Sequence, residues 1–289
     1  MKLKPLLLYI LFFMVVCIVF IFLLFPQREV SAYLSRSVTD SNPDIQVSID
    51  TVRPGFPFKL KFDNTRLVLG KNMQIVPDSF GVSLDIFSIF NNEKHIKIVS
   101  DFYQGSVKGR LRLDNTNFLL FSVPELSMSG VKISDFKYNT DLADIALSCE
   151  LNGEYKQIEA ADKADSGQGT LHIRNFSAKM NQSLFNTLNL PVIDFSDIEL
   201  EFTRHLKEIT LTQCTAKGSI IYLKLKGNIG IVFPVEEIRL NLTGVILPDS
   251  PYLAKFVNSA ALKAVIKNMS KDGIKFNIKG TLKDPKIGI

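Results

Sequence analysis

Histidines, cysteines and paired carboxylates are the residues that would catalyse a reaction or bind a metal, and this sequence holds few of them. Its three histidines, His95, His172 and His205, lie far apart in the chain. No His-x-x-x-His or Cys-x-x-Cys spacing occurs, and Asp162 and Asp165 lack the spacing of a calcium-binding loop. The sequence therefore predicts no metal site and no cofactor.

The glycine motifs of nucleotide-binding and hydrolytic enzymes are also absent. Gly167-x-Gly169 is not a dinucleotide-binding loop, because His172 stands where the third glycine is needed. There is no Gly-x-Ser-x-Gly elbow and no Gly-Lys-Ser/Thr phosphate loop. Charged side chains on the solvent face of strands explain the remaining polar residues, so we predict that the protein is not an enzyme.

The cysteines leave two interpretations open. Cys17 lies in an apolar N-terminal segment, which leaves Cys149 and Cys214 in the rest of the chain. These two could form one disulfide in an oxidising compartment, or they could be two small buried residues.

Composition excludes several classes of protein. The 289 residues are 46% hydrophobic with 16 Gly and 12 Pro, which excludes disordered and collagen-like chains. A net charge of +5 is too weak for a dedicated nucleic-acid binder. Tyr222 stands close to Lys224 and Lys226, and we interpret this patch as a solubilising sheet face.

Most of the chain alternates between apolar and polar residues, which predicts strands with one buried and one wetted face. The clearest alternating segments are 45–49, 58–62, 107–113, 198–202, 221–227, 238–242 and 274–278. We expect an antiparallel sheet, since such sheets commonly have one face in water. The candidate apolar face consists of Leu223, Leu225, Ile238, Leu240, Ile274 and Phe276.

Helical spacing of apolar residues appears in three places. A short helix is predicted over Gln27–Val38, and two others over Asn181–Leu188 and Ser250–Ser270. The last of these carries several lysines, so it could lie on a membrane surface or pack its apolar stripe over an open end of the sheet.

The N-terminal segment Leu6–Phe25 is twenty apolar residues long, which matches one bilayer core. Lys2 and Lys4 precede it, so the positive-inside rule places the N-terminus in the cytoplasm. We predict a transmembrane anchor; the alternative is a signal peptide cleaved near Val30-Ser31-Ala32. The predicted anchor residues are Leu6, Ile10, Phe13, Val16, Phe20 and Phe25.

Four regions follow from these patterns. Residues 1–26 would form the cytoplasmic tip and the anchor, and residues 27–158 the short helix and a first β-rich half. The polar stretch 159–169 would be a loop or linker. Residues 170–289 would form a second β-rich half with the C-terminal helix.

Strand and turn signatures in the C-terminal half resemble the type II secretion system protein N family, also called general secretion pathway protein N. They cover residues 168–289 well. Residues 1–70, with Pro54-Gly55-Phe56-Pro57, match that family and the broader AsmA-like envelope proteins loosely, and residues 71–160 show no specific match. The signatures are Gly169-Thr-Leu-His-Ile173, Leu190-Pro191 with Phe195, Ile198–Phe202, Lys226-Gly227-Asn228-Ile229, Asp272-Gly273-Ile274-Lys-Phe276 and Gly280-Thr-Leu-Lys-Asp-Pro285.

The resemblance implies a mainly β fold: one N-terminal transmembrane helix, then an antiparallel one-side-apolar sheet, an elongated AsmA-like groove or sandwich, with two short helices. It implies a non-enzymatic component of type II protein secretion, single-pass in the cell inner membrane with its body in the periplasm. The expected partners are other secretion-system subunits and no nucleic acid. The alternative is an AsmA-like protein that binds lipid or transfers it between the inner and outer membranes.

Overall fold

The structure is a computed structural model of the full chain. It describes residues 8–9, 12–13, 16, 19–20, 22–41, 45–55, 59–69, 73–84, 94–113, 121–139, 144–158, 166–180, 192–218, 221–232, 234–248 and 273–288.

One α-helix, α1 (Gln27–Ser41), leads into the first strands. It packs against β1 (Ile45–Ser48) and β2 (Thr51–Gly55). Polar side chains make the junction: the buried Ser31 hydroxyl donates to the Asp50 carbonyl at 3.2 Å, and the Ile49 amide donates to Ser35 Oγ at 3.2 Å. These bonds satisfy backbone groups where the chain changes from helix to strand. The predicted helix over Gln27–Val38 is therefore confirmed.

In the described part of the chain no helix is both long and apolar enough to cross a membrane. A membrane span needs about 20 consecutive apolar residues, whereas α1 has 15 residues and carries charged residues such as Arg28 and Glu29. The predicted transmembrane helix is therefore wrong, and so is the predicted single-pass inner-membrane localisation with a periplasmic body.

Four of the six predicted anchor residues are described. Phe13 and Phe20 are exposed, while Val16 and Phe25 are partly buried. Leu6 and Ile10 lie outside the described residues.

The prediction of two further short helices is also wrong. The described part of the chain has a single α-helix with defined bounds, α1, and one 3-10 turn, Val235–Glu237. The ranges 181–188 and 250–270 lie outside the described residues. In the described ranges after α1, the apolar residues recur with a period of two. This period suits strands, whereas a helix needs apolar residues three or four positions apart.

Strands make up most of the described chain, so the predicted mainly β, antiparallel architecture is confirmed. After β1 and β2 come β3 (Lys59–Asp63), β4 (Arg66–Leu69), β5 (Met73–Ile75), β6 (Ser79–Leu84), β7 (Lys94–Phe102), β8 (Gly105–Leu113), β9 (Phe121–Asn139), β10 (Asp144–Gln157), β11 (Ser166–Met180), β12 (Val192–His205), β13 (Glu208–Gly218), β14 (Ile221–Gly230), β15 (Arg239–Pro248), β16 (Ile274–Thr281) and β17 (Pro285–Gly288).

Two sheets result. The smaller sheet has the order β1-β4-β5. The larger sheet has 14 strands in the order β17 through β6 and then β3 and β2, and every neighbouring pair is antiparallel. From β6 onward each strand simply pairs with the next one along the chain, so the contacts are local and no long crossover is needed.

Tight turns and one bulge set the register. Tyr103 and Gln104 join β7 to β8 with φ of 50° and 62°, a left-handed geometry that suits two-residue hairpins because it matches the twist of the strands. In the long strand β9, Gly130 has φ 62° and its amide donates to Asn152 Oδ1 at 2.8 Å. This bulge shifts the alternation, so Met128 and Val131 face the same side of the sheet.

Candidate functional site

One unbroken row of register partners crosses the larger sheet from β2 to β16. Each residue in the row is the direct Cα partner of the next, so all of them point to the same side. Twelve of the thirteen are apolar or glycine, and Ser100 is the exception. The row is Val52, Phe62, Phe80, Ser100, Val107, Met128, Gly153, Leu171, Leu200, Cys214, Leu225, Gly244 and Phe276. We call this side of the sheet the apolar face.

The next row along the strands lies on the opposite side, and it is mostly polar. It crosses ten strands and ends at the irregularity in β13. Its members are Arg53, Lys61, Gly81, Val99, Lys108, Ser127, Glu154, Thr170, Glu201 and Gln213. We call this side the polar face. The two rows show that the alternation seen in single strands is kept in phase over the ten strands that both of them cross, from β2 to β13.

Five of the six residues predicted for the apolar face lie on it. Leu223, Leu225, Leu240, Ile274 and Phe276 all belong to strands β14 to β16 and share the side of the row defined above. All five are partly buried.

The sixth predicted residue, Ile238, precedes β15 and follows the 3-10 turn. Its carbonyl accepts a hydrogen bond from the Leu282 amide at 2.8 Å. The backbone of Ile238 therefore joins the start of β15 to the residues that follow β16.

The densest packing on the apolar face is around β12 and β13. Phe195, Ile198, Cys214 and Ala216 are buried there, and Phe176 contacts Phe195 with ring centroids 6.0 Å apart. Of the apolar residues described, just ten are buried, and among the large side chains only Val52 and Val131 are almost completely so. Ten buried residues are few for a sheet of 14 strands. In a single layer, each side chain is shielded from water by its neighbours on the sheet, but no second layer covers it.

The described elements place no second layer over the apolar face. Every extensive contact between them joins hydrogen-bonded neighbours, or α1 with β1 and β2. Most members of the row, including Leu171, Leu200 and Leu225, consequently remain partly exposed. An apolar side that no described element covers is typical of a surface that binds an apolar partner.

Glycines on the apolar face lie beneath aromatic rings from neighbouring strands. Gly169 is the register partner of Phe202, and a Cβ at Gly169 would come within 2.5 Å of that ring. Tyr155 stacks on Phe202 with centroids 6.4 Å apart, and a Cβ at Gly167 would overlap the Tyr155 ring. The glycines let the rings lie flat on the sheet.

Sequence reasoning missed Gly167 and Gly169 because both were placed in a polar loop. The signal that could have found them is their spacing, which matches the apolar phase of Leu171 and Ile173.

The histidines do not come together. His95 lies on β7, His172 on β11 and His205 at the end of β12. The Ser166 hydroxyl lies 2.9 Å from His205 Nδ1, and Glu208 is the register partner of His205 on the other side. Ser166 is buried, with 6% of its surface exposed, so a substrate would not reach its oxygen. This pair joins the ends of β11 and β12.

Cys149 and Cys214 are both free thiols. They lie on β10 and β13, three strands apart, which is about 14 Å and far beyond the reach of a disulfide. Burial raises the pKa of each thiol. Of the two interpretations that the sequence left open, the structure supports two small residues on the apolar face.

Among the residues that the structure describes, no group of three or more His, Cys, Asp or Glu side chains could hold a metal ion.

Comparison with known proteins adds one weak similarity. The chain is 23% identical over 195 residues to the uncharacterized protein L702 of Acanthamoeba polyphaga mimivirus, which covers 65% of this chain and 24% of that protein. The chain thus spans about a quarter of that relative's length. No family model and no solved structure matches the chain. Membership of the secretion protein N family stays a prediction from the residues that carry the resemblance.

Proposed function

We propose that the protein binds lipid acyl chains along its apolar face and acts as a non-enzymatic lipid-binding protein. The observation that carries this proposal is the row of register partners from Val52 to Phe276, which is apolar or glycine in twelve of its thirteen strands and is covered by no second layer of described elements.

The length of the row suits extended chains. Thirteen strands have twelve spacings of about 4.8 Å, so the row is about 58 Å long when measured across the strands. A bilayer core is about 30 Å thick and holds two leaflets, so one extended acyl chain is about 15 Å long. The apolar face could take nearly four such chains end to end.

The chemistry of the row also suits acyl chains, which offer no hydrogen-bonding groups. The single hydroxyl in the row, that of Ser100, already donates to the Ser79 carbonyl at 2.9 Å. Each methylene removed from water contributes about 0.8 kcal/mol, so a chain that lies along a few strands gains enough to offset its loss of freedom.

The test is a substitution of Leu225 by aspartate in the full chain, with cis-parinaric acid as the fluorescent acyl probe. In an open face the new carboxylate can reach water, so Leu225→Asp should melt close to the wild type and bind the probe about ten-fold more weakly. The matched control is Asn228→Asp, which places the same carboxylate on the polar face of the same strand. It should bind the probe as the wild type does.

Three results would contradict the proposal. If the chain itself sealed the apolar face, Leu225→Asp would bury an unpaired charge and unfold the protein. If the wild type bound no probe, or if Leu225→Asp and Asn228→Asp bound it equally, the apolar face would not be the binding surface. Phe276→Asp provides a second position for the same comparison.

The role in protein secretion is a separate proposal. It rests on the resemblance of residues 168–289, and its test is co-purification of the full chain with subunits of that machinery. A preparation free of all such subunits would count against it.

A further inference from the structure

A cavity of about 830 Å³ lies on the polar face of β13 to β16. Most of its lining residues belong to the polar face, among them Tyr222, Lys224, Lys226, Thr243, Lys275 and Asn277. The apolar-face residues Cys214, Leu225, Gly244 and Phe276 lie between these residues and also contribute to the lining.

The floor of the cavity consists of two adjacent cross-strand rows. The first runs Thr215, Lys224, Val245, Lys275, and the second runs Lys226, Thr243, Asn277. Lys224 and Lys275 are two strands apart, so their Cα atoms are separated by about 10 Å, with Val245 between them.

Three lysines line the cavity, and none of its described lining residues is acidic. Glu199 shares the first row but lies on β12, two strands from Lys224, and within the described ranges the two form no ion pair. Among the described residues, no ion pair neutralises the positive charge in the cavity. The Nζ of Lys224 also lies 5.5 Å from the ring centroid of Tyr222, which holds one ammonium group beside a flat apolar surface.

We propose that this cavity binds a phosphate group carried by an organic molecule. A phosphate monoester has a charge of about −1.5 to −2 at neutral pH, which the three lysines that line the cavity would neutralise. The Thr215 hydroxyl and the Asn277 amide add neutral donors beside the lysines, while the Thr243 hydroxyl donates to the Lys226 carbonyl at 3.4 Å. The volume lies in the usual range for small-molecule sites, so there is room for the organic part against Tyr222 and Val245.

The phosphate could belong to a free metabolite or to a lipid headgroup, and two probes distinguish these sources. Inorganic pyrophosphate, titrated calorimetrically into the full chain, reports on a free phosphate compound. Vesicles of phosphatidylcholine containing phosphatidic acid, compared with pure phosphatidylcholine vesicles in a flotation assay, report on a lipid headgroup. Binding of either probe that depends on the three lysines supports the proposal.

The test variant is Lys224→Gln/Lys226→Gln/Lys275→Gln. The matched control is Lys61→Gln/Lys108→Gln/Lys132→Gln, which removes the same charge at exposed lysines far from the cavity. We expect the test variant to lose at least about ten-fold in affinity and the control to change less than about two-fold. Because the substituted lysines are exposed, both variants should melt as the wild type does.

Equal losses in the two variants would mean general attraction to a basic protein and would overturn the proposal. The proposal would also be overturned if the wild type bound neither of the two probes. Leu171→Asp changes the apolar face on β11, away from the residues that line the cavity, and it should keep pyrophosphate binding. Failure of the acyl-chain proposal and failure of this one are therefore seen separately.

Discussion

The ring of Phe276 lies over Gly244, its register partner on the neighbouring strand, so closely that a Cβ on Gly244 would come within 2.5 Å of it. The same Cβ would be 2.8 Å from the Lys224 carbonyl oxygen. Gly244 is thus fixed between an aromatic ring and a backbone, and the ring covers a place on the apolar face that no side chain fills.

Substitution of Gly244 by alanine should therefore destabilise the protein. The ring can rotate away, but the Lys224 backbone cannot, so we expect a loss of about 1–3 kcal/mol in urea unfolding. The control is Gly230→Ala on the adjacent strand, where the nearest atom to a new Cβ is 3.6 Å away. That variant should stay within about 0.5 kcal/mol of the wild type. Equal effects at the two positions would mean that the ring contact does not matter.

Truncation of Phe195 tests the buried cluster on β12 and β13. Phe195 is 7% exposed and contacts Phe176, so Phe195→Ala should cost about 3 kcal/mol through lost contacts and a cavity. Ile287 on the edge strand β17 is 66% exposed, and Ile287→Ala should change the free energy of unfolding by less than about 0.5 kcal/mol. Chemical denaturation of both variants measures the difference. A small loss for Phe195→Ala would show that this cluster is not a core.

The ion pair at the N-terminal end of the sheet makes stability depend on pH. Arg53 Nε and Nη2 donate to the two Asp63 carboxylate oxygens, each at 2.6 Å, and these hydrogen bonds lower the pKa of Asp63. Because the pKa of Asp63 is lower in the folded protein than the value of about 4 in the unfolded chain, the ion pair stabilises the folded state at pH values above about 4. This stabilisation is lost as the pH falls from about 4 through the lower pKa of the folded state. Asp63→Asn should remove part of the acid dependence. Both side chains are partly exposed, so the effect should be small.

Thermal melts between neutral and acid pH measure that change, and the control is Arg53→Gln. If the ion pair is the cause, the two variants should lose the same part of the pH dependence, and the double variant should lose no more than either alone. Additive effects would exclude the pair as the cause.

The two thiols on the apolar face should react slowly in the folded protein. Burial raises the pKa of Cys149 and Cys214, so less thiolate is present at a given pH than in the unfolded chain. Iodoacetamide at mildly alkaline pH should label both more slowly in buffer than in guanidinium chloride, with mass spectrometry as the readout. Resistance to labelling in guanidinium without a reductant would indicate a disulfide and contradict the structure.

Single-strand patterns predicted much of the sheet. The alternation of 221–227 and 274–278 corresponds to β14 and β16, because each strand has one polar and one apolar face. The bulge at Gly130 could not be predicted, since it places Met128 and Val131 on one side and so breaks the alternation locally.

The predicted loop extended into the first residues of β11 for a related reason. Residues 166–169 were predicted to be loop because serine and glycine are common in turns, yet they pair with β10 and β12. The rings of Tyr155 and Phe202 that favour glycine there belong to neighbouring strands. The membrane prediction rested on hydropathy alone, and no helix of the described residues is long and apolar enough to span a membrane.

Photochemical cross-linking shows directly whether the apolar face binds lipid, because it reports which side of the sheet an acyl chain touches. The full chain is incubated with a fatty acid that carries a diazirine along its chain, irradiated, digested and mapped by mass spectrometry. We predict adducts at apolar-face residues such as Leu171, Leu200 and Leu225, and few at their polar-face neighbours Thr170 and Lys224. Adducts spread equally over both faces, or none at all, would contradict the proposal that the apolar face binds lipid.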